Sequence, residues 1–250
     1  MSALPACCRY LTARIDDVPD ALDWLSPRER ATLETLRIAK RRQDWLLGRW
    51  AAKQALAASL ARRDETPPLR AIEILAAPDG APEVYVAAVA APFAISISHS
   101  GGRALCAVVP RTVAVGCDVE RVEPRDDRLV EDFFLPDEVA AVRRHEGRAR
   151  DVMVTLVWSA KESALKLLRE GLRRDTRSAY VAIGDPPVAV TRWAPLAVRC
   201  EGRLGSVSGW WRRSGDAVLT VVTGIPVAPP LEIEARDCRT TRRPRPEVPS

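Results

Sequence analysis

The order of local patterns constrains this chain most: a helix followed by strands, and then the same order again. Ser26-Pro27-Arg28-Glu29 is a helix start, with serine as N-cap, proline at the first helical position and a charged first turn. A helix or helix pair follows to about residue 63, Pro67-Pro68 breaks it, and 72–75 reads as a strand before the turn Pro78-Asp79-Gly80. Ile95 and Ile97 alternate with Ser96 and Ser98, Gly101-Gly102 turns the chain, 104–109 returns, and 112–120 is the next strand. Residues 126–150 are charged and helical, with Phe133-Phe134-Leu135 as an apolar insert and Pro136-Asp137-Glu138 opening a new helix. A longer helix is predicted from about 151 to 170, stopped by Gly171, with strands at 188–190, 204–211 and 217–222. This order defines an α+β chain of two similar halves, 1–110 and 111–225, although no sequence identity between them is visible. From 226 to 250 the Pro/Arg-rich composition predicts a tail outside the core.

Length agrees with this reading, because 250 residues at about 150 per domain is one large domain or two halves sharing a core. Hydrophobic residues at 47% and charged residues at 28% exclude a disordered or collagen-like chain. The charge-free stretch 84–102 contains Pro92 and ends in two glycines, so it is not read as a membrane span. No secretory signal pattern stands at the N-terminus, and a cytoplasmic location is expected. Six cysteines form no C-x-x-C pair, and His99 and His145 are too far apart in sequence for a helical zinc motif, so zinc chemistry is disfavoured. The net charge of +5 favours an anionic partner without choosing among them. All but four of the 38 basic residues are arginine, and the lysines (Lys40, Lys53, Lys161 and Lys166) fall in two helical segments.

In the strand 112–120, alternation puts Ala114, Gly116, Asp118 and Glu120 on one face. The small residues there leave space for a ligand. Two carboxylates on one face repel unless a cation lies between them, and hard oxygen donors suit Mg²⁺ held jointly with phosphates. An exposed strand end with ordinary surface acids is the blander reading, and this segment alone favours it. On the helix from 151, Trp158, Glu162 and Lys166 recur at i, i+4 along one face, while Ala160, Ala164, Leu167 and Leu168 form the opposite, buried stripe. Glu162 with Lys166 reads equally as an exposed helical ion pair or as part of a phosphate-transfer site. In the first helix Arg42, Arg49 and Lys53 fall within about 40° of one side, a possible anion-binding row or simply a solvated basic face. His99 stands where a strand ends in a small-residue turn, among hydroxyls and open backbone N–H groups able to hold a phosphate, or as an ordinary loop histidine.

Four segments together resemble the Sfp-type 4′-phosphopantetheinyl transferases: Gly48-Arg49-Trp50-Ala51-Ala52-Lys53, Ile97-Ser98-His99-Ser100, Gly116-Cys117-Asp118-Val119-Glu120, and Trp158-Ser159-Ala160-Lys161-Glu162-Ser163-Ala164-Leu165-Lys166. They occur in the family's order and span roughly residues 26–224. The resemblance implies a pseudo-two-fold arrangement of the halves with the active site between them. It also implies transfer of the 4′-phosphopantetheine arm of coenzyme A to a serine of an apo carrier protein (acyl, polyketide or nonribosomal-peptide type), with release of adenosine 3′,5′-bisphosphate. By the same resemblance Asp118, Glu120 and Glu162 are Mg²⁺ ligands, with Mn²⁺ able to substitute, and Glu162 and Lys166 are catalytic. Lys40, Arg49, Ser98, His99, Asp118 and Lys166 bind coenzyme A, with Ser98 and His99 at its 3′-phosphate; Arg42 and Lys53 are weaker candidates at the same end. Residues 122–142 are where relatives dock the carrier, with Phe133, Phe134 and Leu135 as candidate apolar contacts. Two joined halves imply a monomer.

The chain departs from the family at Gly80-Ala81-Pro82, where many relatives carry Lys or Arg in place of Ala81. One coenzyme A contact is missing there unless a neighbouring arginine substitutes. The competing reading, a non-catalytic basic module for nucleic acid, is opposed by 5% aromatic content, by acids interleaved with the arginines, and by the absence of any nucleic-acid-binding signature.

Overall fold

The computed structural model describes residues 7–61, 66–170, 173–182, 191–202 and 205–234. The N-terminal half contains strand β1 (Arg9–Arg14), helices α1 (Pro27–Thr35) and α2 (Ala39–Leu60), the small sheet β2 (Ile72–Ala76), β3 (Pro82–Val86) and β4 (Val89–Ala90), and strands β5 (Phe93–Ser100) and β6 (Arg103–Pro110). The C-terminal half contains β7 (Val115–Arg121), α3 (Asp127–Phe133), α4 (Pro136–Arg143), α5 (Gly147–Leu167), β8 (Ala179–Ala182), β9 (Ala194–Cys200), β10 (Ser206–Ser214) and β11 (Ala217–Thr223), followed by β12 (Leu231–Glu232).

Two larger sheets run in the orders β12-β1-β6-β5 and β7-β11-β10-β9-β8. In each half the first strand pairs antiparallel with the last, which pairs antiparallel with the one before it, so β1-β6-β5 matches β7-β11-β10. Period-2 alternation divides the side chains among three cores. Ala104, Cys106 and Val108 of β6 pack with the α2 residues Ala51, Ala55 and Leu56, whereas Leu105, Ala107 and Val109 face a central core with Cys117, Val119, Leu219 and Val221. Val218 and Val222 of β11 face α5. The sheets therefore pack on each other, with α2 and α5 on the outer faces.

A buried ion pair repeats in both halves. Ser26 Oγ accepts from Glu29 N–H at 3.3 Å and Glu29 Oε2 accepts from Ser26 N–H at 2.9 Å, closing a capping box on α1. The same Glu29 carboxylate holds Lys53 Nζ at 2.5 Å and accepts from Ile74 N–H at 3.1 Å. On α4, Glu138 accepts from Leu135 N–H at 2.8 Å, holds Lys161 Nζ at 2.8 Å and accepts from Val181 N–H at 2.7 Å. Each ammonium also donates to two carbonyls: Lys53 to Trp24 and Leu69, Lys161 to Thr176 and Ala179. Every charge in these pairs is hydrogen-bonded, which is what allows it to be buried.

Several expectations change. Lys53 has no exposed side-chain surface and belongs to this pair, so the row Arg42–Arg49–Lys53 does not exist; Arg42 donates to Leu33 O at 2.9 Å. Helix α5 begins at Gly147 and ends at Leu167, before the expected Glu170, and its stop residue is Arg169 with φ of 60° rather than Gly171, which lies outside the described residues. Arg169 N–H donates to Lys166 O and Glu170 N–H to Leu165 O, a Schellman closure. The segment after 226 is not wholly outside the core, because Leu231 and Glu232 pair parallel with β1 and Ile233 is buried in the N-terminal core. Tyr10 OH donates to Glu232 at 2.8 Å and anchors this return. Strands β1, β3, β4, β8, β9 and β12 are not among the expected ones; the expected strand 188–190 lies outside the described residues.

Candidate active site

The site begins with Gly116. A Cβ there would lie 1.8 Å from Ser163 O and 2.7 Å from Leu167 N, so only glycine lets the backbone of α5 come this close to β7. The room left by small residues on this face is thus filled at Gly116 by the helix, not by a ligand. Ser159 and Ser163 hydroxyls hydrogen-bond Thr220 Oγ1 of β11 at 2.8 and 2.7 Å and fix the rotation of α5. With helix and strand locked in this register, the Trp158–Glu162–Lys166 face meets the carboxylate face of β7.

Asp118 is 2% exposed. Its Oδ1 accepts from Ser98 Oγ at 2.6 Å and from Lys166 Nζ at 2.7 Å, while its Oδ2 is buried without a hydrogen-bond partner. Lys166 donates also to Ser98 Oγ at 3.0 Å and to Cys117 O at 3.3 Å. Burial opposes its charge, but Asp118, Cys117 and Glu162 outweigh burial and hold the ammonium above its ordinary pKa. Glu162 is pushed up to about 7, first by burial and then by Asp118 and Glu120, against the opposing pull of Lys166. Burial, followed by Asp118, also raises Glu120, whose Oε2 accepts from Ser100 Oγ at 3.0 Å and Arg125 Nη2 at 3.2 Å. Among the described residues no three carboxylate, thiol or imidazole groups stand close enough to hold an ion as they are. The donor set nonetheless fits a hard divalent cation, since a buried carboxylate oxygen lacks any partner and two neighbouring carboxyls resist ionising.

Strand β5 joins the site along its seryl edge. Ser96 Oγ accepts from Cys117 N–H at 2.9 Å, and Ser98 and Ser100 bond Asp118 and Glu120, so the hydroxyls tie β5 of one sheet to β7 of the other. Ser98 and His99 therefore do not form a pair. Successive residues on a strand point to opposite faces, and Ser98 turns to the carboxylates while His99 lies on the α2 side near Gly48. The Ile/Ser alternation carries this information as far as Ser98; the strand, expected to end in a turn at His99, runs on to Ser100, and the hydroxyls of Ser96 and Ser100 join Ser98 at the site.

Between the halves lies a cavity of about 970 Å³. Trp45 and Arg49 of α2, His99, the turn Gly80-Ala81-Pro82, and Lys166 and Arg169 at the end of α5 contribute to its wall. Asp118, Glu120 and Glu162 are not part of this wall; Lys166 links it to them. Arg49 stacks 4.9 Å from the Trp45 ring centroid, and its Nε is buried without a hydrogen-bond partner. Lys40 is not in the wall; it is largely exposed and paired with Asp44 at 2.8 Å. Of the apolar insert, Phe133 is exposed and packs edge-on against Trp158, Phe134 is buried in the C-terminal core, and Leu135 caps α4.

The fold and site define a two-half α+β chain with a carboxylate–lysine cluster at one end of an interhalf cavity. Residues 114–222, which hold β7, α5 and this cluster, match the family model described as the 4′-phosphopantetheinyl transferase superfamily. A 4′-phosphopantetheinyl transferase of Bacillus subtilis is 33% identical over 91 residues, covering 36% of this chain and 39% of that protein. The 4′-phosphopantetheinyl transferase psf-1 of Bacillus pumilus is 28% identical over 100 residues, covering 40% of this chain and 42% of that protein. The chain thus matches about two fifths of the length of these curated relatives. A holo-(acyl-carrier-protein) synthase from Bacillus anthracis, solved in complex with CoA (3′,5′-ADP), superimposes with a TM-score of 0.35 at 22% identity, covering 43% of this chain and 97% of that one. Among the described residues no helix is long and apolar enough to cross a membrane.

Proposed function

We infer that this chain is a 4′-phosphopantetheinyl transferase that moves the phosphopantetheine arm of coenzyme A to a serine of an apo carrier protein. The observation that carries the reading is Asp118, a buried carboxylate with one oxygen shared by Lys166 and Ser98 and the other without a partner, at the end of a cation-walled cavity. Coenzyme A is the co-substrate, with its nucleotide in the cavity beside Arg49 and His99 and its pyrophosphate toward Lys166. Asp118, Glu120 and Glu162 would hold Mg²⁺ or Mn²⁺, which supplies charge neutralisation at the pyrophosphate.

The carrier serine oxygen bonds to the β-phosphorus as the bridge to the α-phosphate breaks, and adenosine 3′,5′-bisphosphate leaves. Glu162, one turn of α5 from Lys166, would take the serine proton directly or through a water. Lys166 carries a firmly held positive charge to the cavity end and stabilises the charge that grows on the leaving phosphate. Ser98 orients both Lys166 and Asp118. Phe133 is the exposed apolar candidate for carrier contact. One chain supplies both cavity walls, which supports a monomer. The test is chromatography of the nucleotide products: adenosine 3′,5′-bisphosphate should form from coenzyme A only when apo carrier and Mg²⁺ are present, and formation without carrier would reject the reading.

A further inference from the structure

Where the chain leaves α5 beside the cavity, the two halves are tied by an arginine in a conformation that favours glycine. Arg169 has φ of 60°, in the left-handed region that non-glycine residues occupy at a cost. Its guanidinium makes a bidentate contact to Asp79, Nε to Oδ2 at 2.7 Å and Nη2 to Oδ1 at 3.0 Å. Asp79 Oδ1 also accepts from Ala81 N–H at 3.0 Å, which shapes the turn. Arg173 Nη2 adds a bond to Asp79 O at 2.8 Å and another to Arg169 O at 3.2 Å. Asp79, Gly80, Ala81, Arg169 and Arg173 all line the same cavity.

Helix closure alone does not call for arginine here, because glycine closes a Schellman turn without strain. What arginine adds is the grip on Asp79. We propose that Asp79 and Arg169 are positioning residues, a clasp that holds the turn 79–82 of the N-terminal half against the end of α5 and so shapes the cavity wall for the nucleotide of coenzyme A. The proposal rests on the transferase reading for the identity of the ligand. Neither residue takes part in the chemistry; they set affinity.

Arg169→Gly separates this role from a structural one, since it removes the clasp while relieving the left-handed strain. The full chain should melt within a few degrees of wild type, bind coenzyme A at least ~10-fold more weakly by calorimetry, and keep kcat within about twofold at saturating coenzyme A. Asp79→Asn should shift KM in the same direction, and the exchanged pair Asp79→Arg with Arg169→Asp should recover part of the lost affinity. Wild-type binding with unchanged affinity in Arg169→Gly and Asp79→Asn would overturn the clasp and leave the transferase reading intact. A wild-type chain that binds no coenzyme A would overturn both.

Discussion

Lys161 is the counterpart of Lys53: each is fully buried, each follows a tryptophan by three positions, and each meets the third-position glutamate of a proline-started helix. The pair at Lys53–Glu29 measures 2.5 Å and that at Lys161–Glu138 2.8 Å. Each ties a long helix to a short helix and to a following strand. Lys53→Met or Lys161→Met leaves a buried carboxylate without its cation and should destabilise the protein by about 3–5 kcal/mol, read from the denaturation midpoint. A normally stable Lys53→Met protein with a raised KM for coenzyme A would instead assign Lys53 to ligand binding.

Much of the secondary structure was legible. Ser26-Pro27 and Pro136-Asp137-Glu138 mark the starts of α1 and α4, and Gly101-Gly102 marks the hairpin between β5 and β6. The half-buried line of Trp158, Glu162 and Lys166 followed from helical spacing. What periodicity does not encode is which partner meets a face. Lys53 and Lys166 look alike in sequence, yet one meets a capping glutamate in the core and the other a carboxylate at the cavity. The helix stop at Arg169 was hidden because glycine two residues later carried the stronger local signal, while a tertiary bond to Asp79 accompanies the strained residue. The short strand at Leu231 is too brief for any pattern and exists through backbone bonds to Cys8 and Tyr10.

Glu162 links pH to stability and to metal uptake. Its folded pKa, about 7, exceeds the ordinary value of 4.5, so its contribution to stability in the metal-free protein is present below about 4.5 and is lost as pH rises through about 7. Glu162→Gln should therefore stabilise the metal-free protein at pH 8 and flatten this dependence. Wild-type affinity for Mg²⁺ should rise about tenfold per pH unit up to about 7 and then level off as a proton is displaced. Calorimetric titrations at several pH values check this, and a pH-independent affinity between 5 and 7 would contradict it.

His99 lines the cavity on the side away from Asp118. If it meets the 3′-phosphate, His99→Ala should raise KM for coenzyme A several-fold with little change in kcat, and should leave KM for 3′-dephospho-coenzyme A nearly unchanged. Steady-state kinetics with both donors decide it; equal losses would remove His99 from that role.

Gly116→Ala places a methyl group where the α5 backbone already lies, 1.8 Å from Ser163 O. Overpacking of this kind costs about 1–3 kcal/mol and more where the neighbour is backbone. The variant should melt markedly lower and lose transfer, because separating α5 from β7 moves Lys166 away from Asp118. A wild-type melting temperature would show that the helix does not pack as described.

Intact mass of an apo carrier protein, measured after incubation with this chain, coenzyme A and Mg²⁺, decides whether the chain transfers phosphopantetheine. The carrier should gain the mass of one phosphopantetheine on its serine, the gain should disappear in excess chelator, and Asp118→Asn should slow it by at least ~10²-fold while still binding coenzyme A. An unmodified carrier with wild-type protein, or full modification by Asp118→Asn in the presence of chelator, would contradict the account.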